Sequence, residues 1–243
     1  MSWEDFGGPA LRLIEKLLTR QASIIALGAE GTGKTSFMER LSQYELPSTF
    51  SRPSTIGLDQ KYIRPIPKDI SIPILYSDVG GGLPWKFIRR QTFKKVKPLG
   101  ILFFLDHRSN EKTQKGVYGE QNDDGSWDMS RIKRHHEACD ELYELLQSEA
   151  KAKSSCNAII IAVNKCDLWK KSGHTVNDFH KEFENDIAKI SSLGELFRMS
   201  AFLPCSTFTG EGMDNIIRTT VSMTGVEVLL PFGIRLKFSP KPL

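Results

Sequence analysis

The chain has 243 residues, a length that suits one α/β domain carrying an insertion or an appendage. Its hydrophobic content of 40% is enough for a sizeable core, and a net charge of +4 is too small to mark a nucleic-acid binder. The four cysteines lack C-x-x-C spacing, no secretory signal precedes them, and no apolar run has the length of a membrane span. We therefore expect a cytoplasmic protein with reduced thiols and no nucleic-acid partner.

The first twenty residues predict an amphipathic helix, with Pro9 placed to start its main part. Two interpretations stay open: the helix makes reversible contact with a membrane surface, or it packs in a groove of its own domain. Ser2 stands where N-myristoylation needs glycine, so membrane contact would depend on the helix alone.

A glycine-rich loop, defined here as residues 28–35, follows an apolar strand at 23–27 and precedes a helical pattern at 36–44. It matches the pattern G-x-x-x-x-G-K-[ST], in which backbone N–H groups and a helix N-terminus bind phosphate oxygens. Lys34 would supply a charge for the β- and γ-phosphates, and the Thr35 hydroxyl would ligate Mg²⁺. The predicted phosphate-binding residues are Gly28, Ala29, Glu30, Gly31, Thr32, Gly33, Lys34, Thr35 and Ser36.

Strands and helices alternate along the rest of the chain. Two strands joined by the short connection 67–69 predict an antiparallel hairpin, and Pro73 indicates a sheet edge or a bulge. The pattern predicts a three-layer α/β fold with a mostly parallel sheet, one antiparallel edge hairpin and helices on both faces. Strands are predicted at 59–66, 70–76, 100–105, 158–163 and 202–205, and helices at about 132–152, 176–190 and 212–223.

Two further segments lie outside this pattern. Residues 107–130 are polar and read as a loop insertion at the carboxyl edge of the sheet. Residues 225–243 form a C-terminal extension that alternates apolar side chains around 231–233, typical of a small hairpin or an extended arm. The expected organisation is an N-terminal helix at 1–20, a domain at 21–224 and this extension.

Three polar segments follow predicted strands. Asp78, in Asp-Val-Gly-Gly, would hold Mg²⁺ through water. In the segment 164–167 (Asn164, Lys165, Cys166, Asp167), the Asp167 carboxylate would accept from guanine N1–H and its 2-amino group, whereas adenine would leave it unpaired. The Lys165 stem would cover the base face and its ammonium the ribose side, and backbone N–H groups of Cys205, Ser206 and Thr207 would approach guanine O6.

These motifs resemble those of Ras-superfamily small GTPases and are most similar to the ADP-ribosylation-factor (Arf) family. Ser54-Thr55-Ile56-Gly57 is similar to that family's first switch and Asp78-Val79-Gly80-Gly81 to its second. Glu30 and the amphipathic segment before the first strand also fit the family. The resemblance covers roughly residues 9–223.

The resemblance implies a GTP-binding switch that cycles between GTP and GDP with Mg²⁺ and acts in membrane association or trafficking. Thr55 would close on Mg²⁺ and the γ-phosphate, and the Gly81 N–H would contact the γ-phosphate. Lys34, Thr55 and Gly81 are then the expected catalytic residues, and Thr35, Thr55 and Asp78 the metal ligands. An exchange factor, a GTPase-activating protein and effectors are the expected partners, and the resemblance implies a monomer.

The chain departs from the family directly after Gly81, where Gly82 replaces the glutamine that orients the attacking water. Intrinsic hydrolysis should therefore be slow. An alternative is a stably GTP-bound interaction subunit, similar to the β-subunit of the signal-recognition-particle receptor. An ATPase or nucleotide kinase conflicts with the segment 164–167.

Two observations concern the surface. A basic run at 89–97, interleaved with apolar residues, predicts an amphipathic helix with either a solvated face or a partner or anionic-lipid surface. The histidines His107, His135 and His136 have no ligand spacing to cysteines, and we expect them at the surface.

Overall fold

The structure is a computed structural model that describes residues 22–42, 58–63, 74–80, 86–107, 127–150, 156, 158–193, 198–224, 228–229 and 235–236. Several predicted features lie outside these residues: the N-terminal helix, Thr55, Gly81, Gly82 and most of the insertion.

A six-stranded sheet forms the centre of the described chain, in the order β2-β3-β1-β4-β5-β6. Five strands run parallel, whereas β2 pairs antiparallel with β3, placing Asp59 opposite Asp78. The connection between β2 and β3 lies outside the described residues. The strands are β1 (Ala22–Gly28), β2 (Leu58–Ile63), β3 (Ile74–Val79), β4 (Gly100–Leu105), β5 (Ala158–Val163) and β6 (Arg198–Pro204).

Helices cover the sheet because alternate strand residues are apolar on both faces. Ile24 and Ala26 share one buried cluster with Phe37 of α1 and Ile216 of α7. Ile25 and Leu27 belong to a second cluster with α2, α3, α5 and α6. The helices are α1 (Lys34–Ser42), α2 (Lys86–Val96), α3 (Met129–Ala150), α4 (Cys166–Trp169), α5 (Val176–Glu182), α6 (Glu184–Ser191) and α7 (Met213–Thr224). The chain therefore has an α/β fold with helices on both faces of a mostly parallel sheet.

The structure differs from the predicted elements in several places, among them β6, which runs over Arg198–Pro204 instead of 202–205 because it pairs with β5 from Ala158 onward. Strand β3 extends to Val79, so Asp78 lies within it, beside Ala26 of β1, rather than after it. The predicted helix 176–190 is two helices, because Phe183 (φ −101°, ψ 13°) leaves helical geometry while its ring is buried with that of Phe179. Helix α3 begins at Met129 instead of about residue 132.

The C-terminal extension contains a short antiparallel pair, β7 (Val228–Leu229) with β8 (Arg235–Leu236). Of the two predicted forms, a small hairpin or an extended arm, this antiparallel pairing is the one expected of a hairpin; residues 230–234 between the two strands lie outside the described part of the chain.

The helices in the described part of the chain fall short of the combined length and apolar character that a bilayer crossing requires.

Candidate functional site

The carboxyl ends of four of the five parallel strands bring the predicted polar segments to one edge of the sheet. The glycine-rich loop begins at the end of β1, and Asp78 lies near the end of β3. Asn164 follows β5 directly, and Cys205 follows β6. This edge is where open α/β sheets bind their ligands, because the loops there converge.

The glycine-rich loop curls around the ammonium group of Lys34. Its Nζ donates to the carbonyl oxygens of Gly28 at 3.0 Å and Ala29 at 2.7 Å. Burial lowers the pKa of Lys34 to about 8, although the nearby Asp78 carboxylate raises it in part. The loop thus contains a buried cation whose hydrogen bonds to the described residues all go to oxygens of the loop itself, at the place where a phosphate group would be expected.

Gly33 fixes the closest approach within the loop. Its φ of +91° favours glycine, and a Cβ there would lie 2.2 Å from Nδ2 of Asn164. The loop is therefore packed against the segment that follows β5.

The Thr35 hydroxyl donates a hydrogen bond to Oδ2 of Asp78. A hydroxyl beside a carboxylate is the oxygen pair that Mg²⁺ takes from a protein when phosphate oxygens complete its coordination. Among the described residues no cluster of three or more His, Cys, Asp or Glu side chains forms a metal site on its own. The pair fits Mg²⁺ that is bound together with a phosphate ligand, and not a metal held by protein alone.

Asn164 joins three segments of the site. Its Nδ2 donates to the carbonyl oxygen of Thr32 at 2.7 Å and to Oγ1 of Thr207 at 3.2 Å, while its Oδ1 accepts from the backbone N–H of Thr207 at 3.0 Å. Its own carbonyl oxygen accepts from the Trp169 indole at 2.9 Å. This residue holds the glycine-rich loop, β5 and the loop after β6 in one arrangement.

Asp167 has a buried carboxylate oxygen with an unused hydrogen-bond capacity. Its Oδ1 has no hydrogen-bond partner within the part of the chain that the structure describes. The residue lies in the short helix α4, which begins after Lys165 turns the backbone into the left-handed region (φ 63°, ψ 34°). A buried acceptor without a donor costs free energy. This oxygen therefore fits the role of hydrogen-bond acceptor for the N–H groups of a ligand.

The backbone N–H groups after β6 are all engaged within the protein. Cys205 N donates to Val163 O at 2.9 Å, Ser206 N to Glu211 O at 2.9 Å, and Thr207 N to Asn164. The predicted contact of these three N–H groups with a guanine O6 is therefore not supported, because the loop folds back onto β5 and uses them. The guanidinium of Arg40 braces the same loop at the carbonyl oxygens of Phe208 and Thr209.

A buried ionic cluster beneath the site was not predicted. Asp106, directly after β4, accepts from Nε and Nη2 of Arg131 at 2.6 and 3.0 Å and pairs with Lys165 Nζ at 2.6 Å. His135 Nε2 lies 2.8 Å from the same carboxylate. Burial alone would raise the pKa of Asp106, but Arg131 and Lys165 hold it well below its usual range. The Lys165 ammonium lies against Asp106 and not at the open edge of the site. Burial lowers the pKa of Lys165.

The only sequence signal for this cluster is an aspartate that ends an unbroken apolar strand. Arg131 lies in α3 close to the charged residues Lys133 and Arg134, and this sequence context favours a solvated side chain. In the structure, however, Arg131 is only 1% exposed. His107 and His135 are also fully buried, and the prediction that they lie at the surface is wrong. His135 is drawn in because it shares Asp106 with Arg131. His136 is partly exposed and pairs with Asp186 and Glu182.

A cavity of about 460 Å³ lies beside the first residues of the glycine-rich loop, between α2 and α3. Its floor is apolar, and its rim carries both charges, among them Arg89, which donates to Gly80 O at 2.7 Å and pairs with Glu141. Helix α2 is the predicted amphipathic helix: Phe93 is buried, whereas Arg90, Lys94 and Lys95 are exposed. Arg89 departs from the predicted basic run because it points inward.

No protein-family model matches the chain, and no curated protein matches its sequence.

Proposed function

We propose that the chain is a GTP-binding switch of the Arf-like type that binds GTP and GDP with Mg²⁺ and hydrolyses GTP slowly. The observation that carries the proposal is the buried Oδ1 of Asp167, which has no hydrogen-bond partner among the described residues and lies at the same sheet edge as the glycine-rich loop. A base-reading carboxylate and a phosphate-binding loop at one edge are what a guanine nucleotide requires. The strand order and the antiparallel edge strand β2 support assignment to the three-layer P-loop GTPase fold.

The phosphates would lie on the glycine-rich loop. Lys34 would exchange its bonds to Gly28 and Ala29 for phosphate oxygens, which favour its charged form and offset the effect of burial. Thr35 and Asp78 would supply oxygen ligands to Mg²⁺, which neutralises charge on the β- and γ-phosphates. Thr55 and Gly81 keep their expected roles at the γ-phosphate.

The base would be read by Asp167. One carboxylate accepts from guanine N1–H and from the 2-amino group together, whereas adenine offers no such pair of donors. Asn164 would act without touching the base, by holding in place the loops on which the phosphates and the base would lie. Lys165 keeps its aliphatic stem for the base face while Asp106 holds its ammonium.

The hydrolysis reaction would be in-line attack of water on the γ-phosphate, driven by positioning and charge stabilisation. Gly82 has no side chain to orient that water, so a GTPase-activating protein would supply the missing groups. An exchange factor and effectors would complete the cycle, and reversible membrane contact would fall to residues 1–20.

Calorimetry with GDP, GTP and ATP in the presence of Mg²⁺ tests the proposal. We expect guanine nucleotides to bind and ATP to bind at least a hundredfold more weakly, as expected when a buried polar group loses its partner. Asp167→Asn should weaken GDP binding and improve the binding of xanthosine diphosphate, whose 2-oxo group accepts from the new amide. Asp214→Asn, an exposed change on α7, is the matched control. Equal binding of ATP and GTP, or an unchanged base preference in Asp167→Asn, would contradict the proposal.

A stably GTP-bound interaction subunit is the second candidate, and Gly82 favours it. Single-turnover hydrolysis with and without a partner lysate separates the two functions. GTP that co-purifies with the protein and never turns over would favour the interaction subunit, whereas turnover stimulated by the lysate would favour the switch.

A further inference from the structure

The guanidinium of Arg131 connects the glycine-rich loop to the segment that carries Asp167. Two of its nitrogens hold Asp106, and the third, Nη1, donates to the backbone carbonyl oxygen of Glu30. Asp106 in turn holds Lys165, two positions before Asp167.

The contact with Glu30 orients a peptide plane. The described chain has no cis peptide bond, so the carbonyl of Glu30 and the N–H of Gly31 point in opposite directions. Because the carbonyl is directed to Arg131, the Gly31 N–H is directed away from it. Gly31, with φ +73°, is the residue that permits this turn.

The cluster also carries charge. Arg131 and Lys165 are two buried cations, and both pair with the carboxylate of Asp106. Burial of an arginine costs several kcal/mol, and an apolar residue at such a position often gives a protein of equal or greater stability. An arginine with one donor committed to the loop backbone thus has a role besides holding the helix to the sheet.

We propose that Arg131 is a positioning residue for nucleotide binding, which holds the Glu30–Gly31 peptide so that its N–H faces the diphosphate. This inference rests on the proposed function. It assigns to Arg131 an effect on ligands that have a β-phosphate, because the glycine-rich loop binds there, and a much smaller effect on a nucleoside monophosphate.

The test is the affinity of the full chain for GDP and for GMP, measured by competition against a fluorescent guanine nucleotide. Arg131→Lys keeps a cation beside Asp106 but cannot reach both Asp106 and Glu30. We expect GDP to bind about tenfold more weakly or worse, and GMP to change by less than about threefold. Arg131→Gln, measured in the same way, should show the same split, and Arg134→Lys, an exposed change on the same helix, should show none.

Equal losses for GDP and GMP would mean a general structural role and would overturn the inference, as would wild-type GDP affinity in both variants. If one variant does not fold by circular dichroism, the other decides. Failure of the wild-type chain to bind any guanine nucleotide overturns the proposed function and this inference with it, whereas wild-type binding without the split overturns the inference alone.

Discussion

The side-chain amide of Asn164 donates to the backbone carbonyl oxygen of Thr32 across 132 positions of sequence, with 2.7 Å between nitrogen and oxygen. The same side chain holds Thr207 from both of its ends. One residue thus fixes the relative positions of three loops that sequence order leaves far apart.

Asn164→Ala should lower the free energy of unfolding by about 3 kcal/mol, because buried groups of Thr32 and Thr207 lose their partner. Urea unfolding of the nucleotide-free protein measures it. Asn177→Ala, at an exposed position of α5, is the control and should change the value by less than about 0.5 kcal/mol. Equal effects of the two changes would contradict the bridging role.

Gly33→Ala and Gly173→Ala form a matched pair. Both residues have positive φ, +91° and +80°, so both variants bear similar backbone strain. Only at Gly33 does the new Cβ meet a neighbour, 2.2 Å from Asn164, whereas nothing lies within 4 Å at Gly173. We expect Gly33→Ala to lose about 2 kcal/mol more than Gly173→Ala in guanidinium unfolding, since Asn164 must give up its hydrogen bonds. Similar losses would show that the loop can move aside.

The lowered pKa of Lys34 leads us to expect that the free energy of unfolding rises at alkaline pH. Burial lowers its pKa to about 8 in the folded chain, against 10.5 in the unfolded one. Between these values the unfolded chain binds more protons, so the free energy of unfolding increases with pH, by at most about 3 kcal/mol. The rise should be present in the wild type and in Lys171→Met, an exposed control, and absent in Lys34→Met. Parallel pH profiles for all three proteins would refute the buried charge.

For His136 we expect the opposite effect, a contribution to the free energy of unfolding that falls as the pH rises. Partial burial lowers the pKa of His136, but its contacts with Asp186 and Glu182 outweigh this and raise the pKa above 6.5. Its stabilising effect is then complete below pH 6.5 and disappears as the pH rises through the folded-state value. Thermal unfolding of His136→Gln should differ from the wild type more at pH 6 than at pH 8.

Strands β4 and β5 could be predicted to the residue, because unbroken apolar runs ending in a polar residue leave no other placement in a parallel sheet. The interior strand β3 was displaced from its predicted position, since its ends depend on pairing with β1 and β2, which the sequence does not show. The site residues on strand ends were foreseeable for the same reason that the strands were.

Arg131 could not be predicted, because periodicity places charged helical residues at the surface unless a buried counter-charge draws them in. That counter-charge, Asp106, lies 25 positions away. His135 follows the same logic. The engaged N–H groups after β6 were missed because a strand-end tripeptide does not reveal which carbonyls its backbone will meet.

The backbone N–H of Asp128 donates to the carbonyl oxygen of His107 at 3.2 Å, and the neighbouring Trp127 indole is held by His174 at 3.0 Å. The polar insertion therefore departs from and returns to nearly the same point. Closing a chain of doubled length across such a junction costs only about 0.6 kcal/mol more. A reporter domain or an epitope spliced between residues 108 and 126 should leave the rest of the molecule intact, which makes this junction the natural place to label the protein.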